Sequence, residues 1–124
     1  MWQTPTNGGL QRPSLMSLMA CMNRWVTVTL RDGTQLQVLV TQAGMNYATG
    51  FVSRASYRAV YCGGAAIQNE QQAQSCLNQW VQVELLNGIR LNLFLTSYND
   101  RMIGGGLNPR ELIGYAGLLA DYHC

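Results

Sequence analysis

An internal duplication constrains the fold of this 124-residue chain more than any other feature. Residues 21–41 align without a gap with residues 76–96, and nine of these 21 aligned positions are identical. The identical positions include Cys21 and Cys76, Trp25 and Trp80, and Gly33 and Gly88. The chain therefore contains two copies of one small unit, placed at residues 14–68 and 69–124, after an irregular N-terminal arm at residues 1–13.

Each copy begins with a short predicted helix. Residues 14–23 and 69–78 carry apolar side chains at spacings of three and four, which is the period of an amphipathic helix. Ser14 and Asn69 are suited to cap the helix N-termini, and Gln72 stands where a capping box requires it. We expect both helices to be short.

A β-hairpin follows each helix. Residues 25–30 and 80–85 alternate between apolar and polar side chains, which predicts strands with one face in the core. A three-residue loop keeps the apolar faces of the two strands together, and it requires a left-handed residue where Gly33 and Gly88 stand. The same register sets Glu84 opposite Arg90 as an exposed ion pair, worth about 0 to 1 kcal/mol.

The hairpin register creates a second apolar patch on the other face of the strands. Trp25 is set opposite Leu39, and Trp80 is set opposite Phe94. Two interpretations remain open: the strands curl so strongly that the chain covers both of its own faces, or the patch is an interface between copies of the protein. Trp2 in the N-terminal arm is a further candidate for contact with a neighbouring copy.

The two copies diverge after their hairpins. Residues 45–52 and 57–62 are predicted to be strands, and residues 120–124 resemble residues 59–62. The run Gly104-Gly105-Gly106 predicts a turn, because glycine punctuates regular structure and no phosphate-loop lysine follows.

Composition favours self-association. Charged residues make up 11% of the chain, with eight arginines, no lysine and a formal net charge of +2. A surface with so little charge has little repulsion to keep copies apart.

No arginine cluster indicates a phosphate-binding surface, so nucleic acid is not an expected partner. Neither a signal peptide nor an apolar run long enough for a membrane span is recognisable, which predicts synthesis in the cytoplasm without a membrane partner.

The four cysteines leave several roles open. Cys21 and Cys76 fit the apolar side of their helices as buried thiols, whereas Cys21, Cys62, Cys76 and Cys124 are all candidates for disulfides within or between chains. No Cys-x-x-Cys motif is present, so no metal site is expected. The chain has one histidine, His123, and no nucleophile motif, so we expect neither an enzyme nor a cofactor.

The pattern of helix and hairpin resembles the Sm-like small β-barrel. The matching hairpin segments are residues 26–33 and 81–88, and residues 44–47 and 98–102 resemble a later segment of that family. The resemblance implies a mainly β fold with two tandem Sm-like or SH3-like barrel repeats, each preceded by a short α-helix.

Two branches of this resemblance imply different functions. One branch binds RNA. The other is similar to small bacterial spore-coat proteins, and it implies a self-assembling structural protein in a spore coat or a comparable layer or filament, with itself and other coat proteins as partners. A protein-binding adaptor module is a third possibility.

Overall fold

Nine strands and one α-helix make up the regular part of the computed structural model, which describes residues 20–44, 46–108 and, for the backbone alone, 119–123. The strands are β1 (Trp25–Leu30), β2 (Gln35–Ala43), β3 (Ala48–Ser53), β4 (Tyr57–Cys62), β5 (Ala65–Ala66), β6 (Gln79–Leu85), β7 (Arg90–Tyr98), β8 (Met102–Leu107) and β9 (Leu119–His123). Helix α1 (Glu70–Gln74) precedes β6, and a 3-10 turn (Arg54–Ser56) links β3 to β4. The predicted mainly β class is confirmed.

All nine strands belong to one antiparallel sheet in the order β5-β4-β6-β7-β8-β3-β2-β1-β9. Strand β4 comes from the first sequence copy but pairs with β6 of the second, and β9 comes from the second copy but pairs with β1 of the first. Each half of the sheet is therefore completed by a strand from the other copy. The sequence repeats do not coincide with two separate spatial units, and the described residues form one sheet.

A pseudo-two-fold axis relates the halves of the sheet and passes between β3 and β8. Gly50 pairs with Gly105, and these two glycines are equivalent in the duplication. The outermost pairings obey the same symmetry, because Tyr57–Tyr61 lie against β6 in the register that Leu119–His123 adopt against β1, including the position of the register shift. The duplication thus extends from sequence to strand pairing.

The sheet folds over to cover its own apolar face. Val26 and Val28 of β1 belong to the same buried cluster as Val81 and Val83 of β6, although four strands separate β1 from β6 in the sheet. The tips of the two hairpins also meet, since the Asn87 amide donates to the Asp32 carboxylate at 2.8 Å. These side chains are again equivalent in the duplication, so this contact also lies close to the pseudo-two-fold axis.

The predicted local geometry of the hairpins and caps is confirmed where it is described. Gly33 and Gly88 have φ of 92° and 90°, and the predicted registers of both hairpins are observed. Asn69 caps α1 by accepting from Gln72 N at 2.9 Å, although the Gln72 side chain accepts from Gln68 N and not from Asn69 N. Residues 14–19, which hold most of the first predicted helix, lie outside the described residues.

Two asparagines have a role that sequence reasoning missed. Asn23 and Asn78 adopt left-handed conformations with φ of 65° and 63°, and their N–H groups donate to the equivalent carbonyls of Val40 and Leu95. Asparagine tolerates this conformation better than most residues. Both copies have asparagine at this position because the turn that leads into each hairpin requires a left-handed residue.

The prediction of a turn at Gly104-Gly105-Gly106 is wrong, because all three glycines lie inside the central strand β8 and are buried. A Cβ at Gly104 would collide with the Phe51 ring, and one at Gly106 would collide with the Tyr47 ring. A Cβ at Gly105 would collide with the Phe94 carbonyl, as a Cβ at Gly50 would with the equivalent Leu39 carbonyl. Glycine here permits close approach within a strand.

A disulfide joins the exchanged strand β4 to the second copy. Cys62 at the end of β4 bonds to Cys76, which precedes β6, across a sequence separation of 14. Cys21 is also disulfide-bonded, and Cys124 lies outside the described residues. The disulfide interpretation of Cys62 and Cys76 is confirmed, and the alternative of buried thiols at Cys21 and Cys76 is wrong.

Replacing Gly50 by alanine should destabilise the fold by more than about 2 kcal/mol, because the added methyl group must displace the backbone of β2. The measurement is chemical denaturation monitored by circular dichroism. Thr49→Ala in the same strand is the matched control and should cost about 1 kcal/mol for a lost side-chain hydrogen bond. Equal effects of the two substitutions would contradict the close approach at Gly50.

Removing the Cys62–Cys76 disulfide by the double substitution Cys62→Ser and Cys76→Ser should lower the free energy of unfolding by about 3 kcal/mol, the entropy of closing a loop of this size. The same denaturation experiment tests this. Ser75→Ala is a suitable control, because it removes the hydroxyl group beside Cys76 and leaves the disulfide in place. An unchanged stability of the double variant would show that the disulfide does not constrain β4.

Candidate interaction surface

Six apolar and aromatic side chains gather on the outer face of the sheet, away from the core. They are Trp25, Leu39, Tyr47, Phe51, Trp80 and Phe94, and we call this set the outer aromatic band. Trp80, Tyr47 and Trp25 are the most exposed, at 57%, 45% and 43%, and the other three are half-buried. Large exposed apolar side chains that cluster in this way mark interaction surfaces.

Two cross-strand rows build the band. One row runs through Trp80, Phe94, Gly106, Thr49 and Gln42, and the other runs through Trp25, Leu39, Phe51, Gly104 and Ser97. Each row crosses five strands, a width of about 19 Å at ordinary strand spacing. The rows are equivalent under the pseudo-two-fold axis, so each half of the molecule presents its own tryptophan beside an apolar partner.

The glycines of β8 shape the centre of the band. The Phe51 ring lies over Gly104 and the Tyr47 ring lies over Gly106, because neither position has a side chain. At one end, Trp80 and Phe94 make an edge-to-face contact with ring centroids 5.6 Å apart and an interplanar angle of 66°. Such contacts hold the rings in defined positions.

The predicted interface pairs are brought to one face. Trp25 lies opposite Leu39 and Trp80 lies opposite Phe94, in the predicted register. Sequence reasoning missed Tyr47 and Phe51, which join the band only through the pairing of β3 with β8. The glycine run in β8 was the available signal for a covering ring. Trp2 lies outside the described residues.

No charged residue occurs in either row of the band. A charged network in the same half of the sheet as Trp80 is centred on Glu84, whose carboxylate accepts from Tyr61 Oη at 2.7 Å and from Arg58 Nη1 at 3.2 Å. Arg90 lies 3.7 Å from the carboxylate and stacks over the Tyr61 ring at 4.1 Å. The predicted pair of Glu84 with Arg90 is therefore part of a larger network.

Glu84 is less exposed than predicted, since its side chain is only 12% accessible beneath these neighbours. The hydrogen bond from Tyr61 is the main cause that lowers the pKa of Glu84, and the charges of Arg58 and Arg90 act in the same direction. The same hydrogen bond raises the pKa of Tyr61. The cationic groups of Arg58 and Arg90 are thus directed towards Glu84.

Within the described part of the chain, no group of three or more metal-ligating side chains is found, and no helix has the length and apolarity needed to cross a membrane. Comparison with models of protein families, with curated proteins and with solved structures finds no match. The outer aromatic band is thus the basis for a functional proposal.

Glu84→Gln should make the free energy of unfolding depend less on pH in the acid range. Because the pKa of Glu84 is lowered in the folded state, its carboxylate contributes stability above the ordinary glutamate pKa of 4.5, and this contribution is lost as pH falls through the folded pKa. Urea unfolding at neutral pH and below the ordinary glutamate pKa measures the effect. Glu70→Gln, at an exposed position on α1, is the control and should keep the pH dependence of the original protein.

If Glu84→Gln and the original protein lost the same stability on acidification, the ionised Glu84 carboxylate would not be a source of the stability lost at acid pH.

Proposed function

We propose that this protein is a self-assembling structural protein whose copies associate through the outer aromatic band. The observation that carries the proposal is the exposure of two equivalent tryptophans, Trp25 and Trp80, on the outer face of the sheet, in two cross-strand rows that contain no charged residue. Burying such side chains is favourable by about 25 cal/mol per Å² of apolar surface removed from water. An isolated monomer leaves this surface in water.

The pseudo-symmetry favours an extended assembly. Because the Trp25 row and the Trp80 row are equivalent, a contact that one row makes with a neighbour can be repeated by the other row with a second neighbour. A protomer with two such sites propagates into a filament or layer unless the geometry closes on itself. Electrostatic repulsion between copies opposes this assembly only weakly, since the chain carries a formal net charge of +2.

Binding of single-stranded RNA is the weaker alternative for the same aromatic side chains. Bases stack on exposed aromatic rings, but affinity for the backbone needs arginine or lysine along the same path. The rows of the band contain neither, and Arg58 and Arg90 are held by Glu84. These observations support a protein partner, and the low charge supports a second copy of this chain.

The setting we propose is a spore coat or a comparable layer, built from a duplicated unit of Sm-like or SH3-like small-barrel ancestry. Helix α1 before the β6–β7 hairpin, and the register shifts in β2 and β7 that bend those strands, support this ancestry. Disulfides at Cys21, Cys62 and Cys76 support an assembly that matures under oxidising conditions.

The double variant Trp25→Ala and Trp80→Ala should reduce the assembly to monomers or small oligomers while the fold survives, because both side chains are on the outer face and not in the core. Light scattering and negative-stain electron microscopy measure particle mass and form, and circular dichroism checks the fold. Leu86→Ala is the matched control, since Leu86 is 44% exposed in the β6–β7 turn, outside the band. An unchanged assembly size in the double variant would refute the interface.

A further inference from the structure

A cleft of about 790 Å³ lies at one edge of the sheet, away from the outer aromatic band. Its floor includes β4, one wall is formed by residues 66–71, from the end of β5 to the start of α1, and the other wall is formed by residues 98–100, from the end of β7 into the β7–β8 turn. A cleft of this size has room for a short segment of polypeptide.

The floor of the cleft is an open strand edge. Strand β5 pairs only with Tyr61 and Cys62 of β4, and Ile67 N donates to the Val60 carbonyl. The rest of β4, residues 57–59, has no strand on that side within the described chain. An open edge of this kind is a template for an added extended strand.

The charges at the cleft favour a cationic side chain in the occupant. Arg54 donates to the Tyr57 carbonyl at 2.9 Å, and Arg58 donates to Glu84 and to the Leu86 carbonyl. The charge of Arg58 is thus compensated by Glu84, and Arg54 is held against the Tyr57 carbonyl and the Tyr57 ring. Glu70 on one wall and Asp100 on the other are exposed carboxylates.

The cleft is not a simple product of the duplication. Tyr98 and Asn99 form part of its wall, whereas the equivalent residues of the first copy are Ala43 and Gly44. Beneath the cleft, the Tyr57 hydroxyl is buried without a hydrogen-bond partner in the described structure. The second half of the molecule therefore lines this cleft with side chains that the first copy lacks at the equivalent positions.

We propose that this cleft binds residues 1–13 of a second copy of the chain as an extended strand along β4, with Arg12 directed to Glu70 and Asp100. This inference rests on the proposed self-assembly and adds a second contact to it. Arg12 is the only charged side chain in residues 1–13, so the segment complements the cleft in charge. Pro5 and Pro13 favour extended backbone.

The length of the chain permits this contact between copies. Nineteen residues precede the first described residue, Ala20, and 13 extended residues span about 45 Å. The segment is thus long enough to leave its own half of the sheet and lie along the edge of a neighbour. The band and the cleft would then provide two different contacts in one assembly.

The test uses a synthetic peptide of residues 1–13 that carries a nitroxide spin label. It is added in excess to the full-length Trp25→Ala and Trp80→Ala protein, labelled with ¹⁵N, so that association through the band does not obscure the spectrum. We expect line broadening confined to residues 57–60, 66–71 and 98–100. A peptide of the same composition in scrambled order is the control and should broaden none of these signals.

Charge reversal tests the predicted partner of Arg12. Glu70→Arg with Asp100→Arg should weaken binding of the peptide by about tenfold, and an Arg12→Glu peptide should restore it. Broadening elsewhere, no broadening at all, or equal binding of both peptides to both proteins would overturn the proposal. Absence of binding because the chain's own segment fills the cleft would overturn it as well.

The two proposals fail separately. If the peptide does not bind the cleft while the Trp25→Ala and Trp80→Ala substitutions abolish assembly, the band interface stands and the cleft inference is wrong. If the peptide binds the cleft while these substitutions leave the assembly size of the full chain unchanged, the cleft inference stands and the proposed band interface is wrong.

Discussion

The pairing of β3 with β8 at Gly50 and Gly105 is the contact on which the rest of the structure depends. It joins the two halves into one sheet and sets the pseudo-two-fold axis that relates them. Each of these glycines also allows a close approach to the strand on its other side, because a Cβ at Gly50 would meet the Leu39 carbonyl of β2 and a Cβ at Gly105 would meet the Phe94 carbonyl of β7. Without this pairing, β1 to β3 and β6 to β8 would have no direct sheet contact with one another.

The exchange of the outer strands β4 and β9 also joins the two halves of the sheet. Strand β4 leaves the half that holds β1, β2 and β3 and completes the other half, where the Cys62–Cys76 disulfide fixes its end. Strand β9 makes the reciprocal exchange. Neither sequence copy completes its own half of the sheet, so the two copies depend on each other for their outer strands. The same symmetry that builds the core also places two equivalent tryptophans on the outer face.

Local features of the fold could be predicted from the sequence, because they depend on neighbouring residues. The hairpin registers, the left-handed Gly33 and Gly88 and the Asn69 cap all follow from short-range geometry. The exchange of β4 and β9 could not be predicted, because strand order depends on contacts between residues far apart in the chain. The role of Gly104 to Gly106 was missed for the same reason: the rings that cover two of them belong to residues 47 and 51, more than 50 positions away.

The candidate interaction surface was predicted in part. Trp25 with Leu39 and Trp80 with Phe94 follow from hairpin register, since each pair lies within one hairpin. Tyr47 and Phe51 enter the band only after β3 pairs with β8. The network around Glu84 was also predicted only in part. Arg90 lies within the predicted hairpin, whereas Tyr61 and Arg58 come from the exchanged strand β4.

Tryptophan quenching by acrylamide, measured together with particle mass in the same samples, tests the central claim most directly. A Trp2→Phe variant leaves Trp25 and Trp80 as the only tryptophans of the chain. If the outer aromatic band is the interface, quenching falls and the emission shifts to the blue as protein concentration and mass increase together. A rise in mass with unchanged quenching, or a monomer at all concentrations, would contradict it.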